Sequence, residues 1–206
     1  MRYTGPRNRI ARREATDLGL KTIGSKAHAT LLKKLNVRPG QHGTRGRRKI
    51  SEHAAQLREK QKLRFIFGLT EKQLKKYFKS ATKKKGNTAF YLVLYLEKRL
   101  DNLVFRLGFS PTRAAARQLV GHGHIMVNDK TVSIPSYQMK KGDIITFSKA
   151  QSAKIPYIEK SLLNKDLLIP NWLDRKGTVG KMVAEPDSEL IENQINLRSV
   201  IEYYSR

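Results

Sequence analysis

Positive charge falls away along this chain from its first residues to its last. Residues 1–50 hold 14 basic and 2 acidic side chains, a balance of +12. Residues 51–89 stand at +8, residues 90–150 at +5, and residues 151–206 are neutral. A compact body gains nothing from such a surplus, because like charges packed together repel. The total of +25 on 206 residues is most simply explained by a polyanionic partner, with counterion release on phosphate neutralisation supplying the binding free energy. The first two segments carry most of that footprint.

The opening 50 residues also lack a sustained apolar period. Gly5-Pro6, Gly19, Gly24, Pro39-Gly40, Gly43 and Gly46 interrupt them repeatedly. Alone in water such a segment buries too little surface to offset its ordering entropy, so an extended basic arm that orders on RNA is expected. Arg7, Arg9, Arg12 and Arg13 form one cluster, and Arg45, Arg47, Arg48 and Lys49 another. Between them, Gly40-Gln41-His42-Gly43 offers bare backbone N–H groups to phosphate oxygens. It has no Gly-Lys-Ser/Thr continuation and so is no nucleotide P-loop.

Apolar residues concentrate after residue 54, leaving about 150 residues to build one or two small domains. Ser51 reads as an N-cap, with Ala54, Leu57, Gln61 and Phe65 on one helical face and Gly68 as the stop. Thr70-Glu71-Lys72-Gln73 reads as a capping box ahead of Leu74, Tyr77 and Phe78, which are expected to pack in a core. Lys83-Lys84-Lys85-Gly86 is a basic break and a second candidate phosphate contact. From Thr88 one long helix is expected through Leu92, Leu96, Leu100, Leu103 and Leu107 to Gly108. Another starts at Ser110-Pro111-Thr112, with Pro111 near its first turn, and runs to about Val120. Ile125–Val127, the Asn128-Asp129 turn and Lys130–Val132 then predict a strand pair, with Ile144–Phe147 as a third strand. Residues 89–150 are therefore a compact α+β module.

Within that module Arg113 and Arg117 lie one helical turn apart, separated by three alanines that permit close approach. Two guanidiniums so placed suit neighbouring phosphates of an RNA helix, which is recognised chiefly by backbone shape.

Other chemistries find little support. With no cysteine there is no disulfide scaffold, thiol nucleophile or thiolate metal site. His28, His42, His53, His122 and His124 show no ligand spacing beyond the His122/His124 pair, which lacks a third member. Neither metal nor other cofactor is expected, and no small-molecule substrate. No apolar run approaches the roughly 20 residues of a membrane span. The first six residues lack the apolar stretch of a secretory signal, so a cytosolic location, or use within an organelle, is expected.

Residues 99–127, RLDNLVFRLGFSPTRAAARQLVGHGHIMV, resemble the signature of the ribosomal protein S-four family. So do Arg2-Tyr3 with Gly5-Pro6, Arg12-Arg13-Glu14, Pro39 to Gly43, Gln56 to Lys62, and the final Tyr204-Ser205-Arg206. The resemblance implies a fold of a helical domain plus a small αL-type RNA-binding module, with the basic N-terminal arm. It implies residues 1–50 as arm, 51–88 as helical domain joined by 170–206, 89–150 as αL-type module, and 151–206 as a C-terminal segment packing back on the helical domain. Trp172 and Val200-Ile201 would anchor that segment. The family's function implies a structural, non-enzymatic constituent of the small ribosomal subunit. It binds the 5′-domain junction of the rRNA directly, nucleates assembly of the subunit body and affects translational accuracy. Neighbouring small-subunit proteins, and mRNA where it enters its channel, are the further implied partners. On the matching motifs Arg2, Arg58, Lys62, Gln118 and His122 join the RNA-contacting residues above. The zinc site of some members needs cysteines this chain lacks.

Two rivals share the αL-type module. Pseudouridine synthases have a catalytic aspartate in a motif like Arg99-Leu100-Asp101, but here Asn102-Leu103-Val104-Phe105 continues a helix, and no catalytic domain of adequate size is present. Asp101 reads instead as a helix-surface or capping ion-pair partner. Heat-shock and stalled-ribosome factors usually carry the module near one end, without the arm and helical domain.

Overall fold

A computed structural model of the chain describes residues 3–45, 49–164, 168–187 and 189–205. The described elements run α1 (Arg7–Glu14), α2 (Lys26–Lys33), α3 (Glu52–Ile66), α4 (Glu71–Thr82), α5 (Thr88–Glu97), α6 (Leu100–Arg106), α7 (Arg113–Gly121), β1 (Ile125–Val127), β2 (Lys130–Thr131), β3 (Ile144–Phe147), α8 (Ala150–Ala153), α9 (Pro156–Leu163), β4 (Leu173–Lys176), β5 (Val179–Met182), α10 (Glu189–Glu192) and α11 (Leu197–Ser205). The class is α+β. The chain divides into a helical unit, Met1–Ala89 with Glu189–Arg206, and a mixed unit, Phe90–Ser188.

In the helical unit, α1 and α2 stand where the sequence predicts an extended arm. Four scattered side chains, Ile10, Ala11, Leu18 and Leu31, are enough to bury a small core there. Polar contacts reinforce it: Ser25 caps α2 by accepting from the His28 N–H, and the Arg12 guanidinium donates to the carbonyls of Val37 and Arg38 at 2.9 and 3.1 Å. The arginines thus supply the backbone's missing partners as well as charge.

Helix α3 starts as predicted, with the Ser51 hydroxyl accepting from Ala54 N–H. Its buried face is a different one. Gln56, Lys60, Leu63 and Ile66 are buried, whereas Leu57, Gln61 and Phe65 are only half-buried. Two polar residues disguised this face in the sequence. Lys60 Nζ lies 3.0 Å from a Glu71 carboxylate oxygen and 4.5 Å from the centre of the Tyr203 ring, and Gln56 donates to Glu202 at 3.1 Å. Helix α11 therefore packs along α3, and Tyr204 stacks on Phe78 at 4.8 Å. The Tyr204 hydroxyl donates to Glu71 at 2.7 Å. Burial first, then that carboxylate, holds the phenol well above its ordinary pKa of 10.0. Helix α4 opens with the predicted capping box of Thr70 and Gln73, and Leu74 and Phe78 are buried with Tyr77 beside them half-buried.

In the mixed unit, the long helix expected from Thr88 is broken into α5 and α6. The chain turns at Arg99 (ψ 135°) because the backbone here bonds sideways: Leu100 N–H donates to Tyr137 C=O, and Met139 N–H to Lys98 C=O, both at 2.9 Å. A five-stranded antiparallel sheet runs in the order β2-β1-β3-β5-β4. The predicted β1–β2 hairpin turns on Asn128 and Asp129, both at positive φ (48° and 63°), as a two-residue hairpin loop of that type requires. Strands β4 and β5 were not predicted. They join β3 through Ile144↔Lys181 and Ile145↔Gly180, so residues 151–206 do not act as one segment packing on the helical domain. Trp172 sits in the core of the mixed unit with Leu103, Leu107, Phe109, Ile125, Ile145 and Met182. Val200, on α11, is fully buried in the helical unit.

Candidate nucleic-acid interface

The clustered arginines of α1 separate by direction. Arg7 donates to Leu20 C=O at 3.2 Å and Arg12 to the two carbonyls above, so both face inward and tie loops down. Arg9 and Arg13, one turn apart, are exposed. Behind them Arg58 donates to Glu14 at 3.1 Å, and Lys62 pairs with Glu59 at 2.6 Å, so these two charges are partly spoken for. Burial raises the Glu14 pKa above 4.5, with Arg58 pulling the other way.

The turn at Pro39–Gly43 is built differently from the expectation of an open row of N–H donors. The Gly43 N–H donates to Gly40 C=O at 3.2 Å, and a Cβ at Gly43 would run into the Arg38 carbonyl. That carbonyl is the one Arg12 holds. The turn's glycines thus let two stretches of backbone approach, and His42 and Arg45 are displayed exposed at its end, with Lys49 also exposed. Lys83, Lys84 and Lys85 are exposed after the last turn of α4. Arg2, Arg47 and Arg48 lie outside the described residues.

In the mixed unit the Thr112 hydroxyl caps α7, accepting from Ala115 N–H. Arg113 donates to Asn102 Oδ1 at 2.8 Å and lies 4.4 Å from the centre of the Phe105 ring. Burial, then the Arg106 cation, pushes its pKa down to about 9, which leaves it charged at neutral pH. Arg117 approaches Asp101 at 3.6 Å. Asp101 is also gripped by Arg99 through two bonds of 3.0 and 2.6 Å. Glu97 accepts from Asn102 at 2.6 Å and from Arg106 at 2.7 Å. Gln118 and His122, four apart on the outer side of α7, are exposed.

A surface or capping role for Asp101, the expectation from sequence, misses this network. The signal is present in the chain: Glu97, Asp101 and Asn102 recur at helical spacing beside the leucine stripe, where unpaired polar groups would be costly to bury. Its effect is to hold the two α7 guanidiniums in fixed directions. Among the described residues, no three potential ligands stand close enough to hold a metal ion, and no helix is long and apolar enough to cross a membrane.

A helical unit with exposed cations and a mixed unit whose α7 arginines are held by buried polar groups define a polyanion-binding α+β protein. Residues 2–97 match the family model described as "Ribosomal protein S4/S9 N-terminal domain", and residues 98–145 match the one described as "S4 domain". The chain is 47% identical over 213 residues to the "Small ribosomal subunit protein uS4" of Aquifex aeolicus (strain VF5), covering 100% of this chain and 99% of that one. It is 44% identical to the protein of the same name from Sulfurihydrogenibium sp. (strain YO3AOP1), over 99% and 98% of the two chains. For that of Brevibacillus brevis the figures are 44%, 100% and 99%. The chain belongs to the uS4 family of ribosomal proteins.

Proposed function

We propose that this protein is a structural, non-enzymatic constituent of the small ribosomal subunit that binds small-subunit rRNA directly. The observation that carries the reading is full-length similarity to uS4 proteins in a chain with exposed cations on both units. Arg9, Arg13, His42, Arg45, Lys49 and Lys83–Lys85 are exposed on the helical unit, and on the mixed unit Gln118 and His122 are exposed beside the half-buried Arg113 and Arg117 of α7. Neither surface needs a reacting group. Asp101, the residue an enzymatic reading would require, is buried at 4% exposure between Arg99 and Arg117.

In this reading the residues before α3 and the helices after them grip an rRNA helix junction in the 5′ domain, and the α+β module also binds that rRNA. Early binding there nucleates the subunit body. With neighbouring small-subunit proteins, and beside mRNA where it enters its channel, the protein contributes to translational accuracy. It works ribosome-bound in the cytoplasm.

Sedimentation with footprinting tests this. Stoichiometric association with small subunits through high-salt gradients is expected, with a compact set of protected nucleotides in the 5′ domain. A salt-labile, substoichiometric association, or no preference for that transcript over unrelated RNA of equal length, refutes the reading.

A further inference from the structure

Between α1 and α3 of the helical unit lies a cleft of about 460 Å³, within the about 300–1,000 Å³ typical of small-molecule sites. Its walls combine two kinds of group. Arg9, Arg13, Arg58 and Arg64 contribute four guanidiniums against one carboxylate, Glu14, and that carboxylate is already engaged by Arg58. Tyr3 and Phe65 contribute two rings, set edge to face with centroids 5.7 Å apart. The Arg64 guanidinium lies 4.5 Å from the Phe65 ring centre. Two polar atoms on the same wall, Gln61 Oε1 and Arg64 Nε, are buried without a hydrogen-bond partner. In a protein interior such atoms are costly unless something supplies the missing bond.

The position of Tyr3 is itself built. A Cβ on Gly5 would lie 2.6 Å from the Tyr3 hydroxyl and 2.7 Å from the ring carbon bearing it, so the ring closes over a residue that has no side chain. An aromatic group held against another ring, with cations around it, is a mixed apolar and anionic receptor. A bare phosphate would leave the rings unused, and an apolar ligand would leave the guanidiniums unpaired. A nucleotide satisfies both, because its base has a π-face and its phosphate an anionic one. Bases inside an RNA helix are stacked and inaccessible, so the occupant is an unstacked one.

We propose that this cleft is a nucleotide pocket, which takes one unstacked nucleotide with its base against Tyr3 and Phe65 and its phosphate against Arg9 and Arg13. The proposal rests on the RNA-binding reading above for its source, an extruded rRNA nucleotide. A free nucleoside monophosphate carries the same chemistry.

The test titrates full-length protein with a small-subunit 5′-domain transcript at several salt concentrations. Tyr3→Ala removes a ring and no charge, so affinity falls about tenfold while the slope of log affinity against log salt stays constant. Gly5→Ala is the second variant: it displaces the same ring without deleting it, and a comparable loss is expected. Both should melt as wild type does, since Tyr3 is 48% exposed. Ultraviolet crosslinking of the wild-type complex should join Tyr3 or Phe65 to a single transcript nucleotide. In a second arm, AMP and inorganic phosphate are titrated while the ring resonances of Tyr3 and Phe65 are followed. Saturable shifts with AMP and not with phosphate, beside unchanged transcript affinity in both variants, assign the pocket to a free nucleotide. Unchanged transcript affinity together with unmoved ring resonances overturns the pocket, even where the wild type still prefers its transcript. Should the wild type show no such preference, the RNA reading fails, and the AMP arm alone decides the pocket.

Discussion

Glu14 carries a carboxylate into the helical unit with its side chain only 2% exposed, against an Arg58 side chain that is 43% exposed. Burial raises its pKa from 4.5, and the charge and hydrogen bond of Arg58, then the charges of Lys62 and Arg13, only partly oppose this. A folded-state value above the unfolded one means that the native protein binds more protons between the two. The contribution of this group to stability therefore falls as pH rises from about 4.5 through the raised value, and stays low above it. Glu14→Gln removes the titration. Urea midpoints at a series of pH values from about 4 to 7 should show wild type losing ground to the variant as pH increases. A flat difference would mean the ion pair with Arg58 balances desolvation, and one that grows in favour of wild type that it outweighs it. None of this was readable from the sequence, where Glu14 is one letter after two arginines. The same holds for Arg12 and Arg13: about 100° of rotation around α1 sends one to two backbone carbonyls and leaves the other exposed.

At the level of elements, what was legible were those fixed by local chemistry. The capping box of α4, the Ser51 cap and the Asn128-Asp129 hairpin each depend on residues within four positions of one another, and all form. Elements decided by distant partners were not legible. The break between α5 and α6 exists because the backbone of residues 135–139 bonds to it, and no periodicity within the leucine stripe could register that. The buried face of α3 was hidden because Lys60 and Gln56 find partners on α4 and α11. The β4–β5 hairpin did leave a local trace, Gly177-Thr178 flanked by four-residue strands, with Gly177 at positive φ (59°) as the first residue of a two-residue loop. Its pairing with β3 leaves another mark at Gly180, where a Cβ would collide with the Leu107 side chain. Leu107 is fully buried, so its methyl groups can move aside only by repacking their neighbours. Gly180→Ala should therefore cost about 1–3 kcal/mol through overpacking, read as a lowered urea midpoint with the same m-value. A loss below about 0.5 kcal/mol would show that the sheet tolerates separation from α6.

For the whole molecule, the fall in charge along the chain is a statement about phosphate contacts only for those cations that face solvent, and the structure sorts them. Arg7 and Arg12 belong to the fold: between them they make three bonds to carbonyls of Leu20, Val37 and Arg38. Arg9 and Arg13, on the same eight-residue helix, are exposed. The two pairs carry equal charge within one short stretch, so any long-range electrostatic steering is nearly the same for both, and a difference between them isolates direct contact. Removing one cation that neutralises a phosphate should flatten the plot of log affinity against log salt by about 0.7–0.9. Arg9→Gln with Arg13→Gln is expected to lower that slope by about 1–2 for small-subunit rRNA between about 50 and 200 mM salt, with the thermal melt unchanged. Arg7→Gln with Arg12→Gln should do the reverse: stability drops by about 1–3 kcal/mol as charged donors leave backbone carbonyls, while the slope measured well below the melt is retained. If both pairs flatten the plot equally, the cations act as a diffuse cloud and the inward and outward directions seen on α1 carry no meaning for binding. If neither does, the rRNA is held elsewhere, and the steep opening of the charge gradient serves some other purpose than neutralising phosphate.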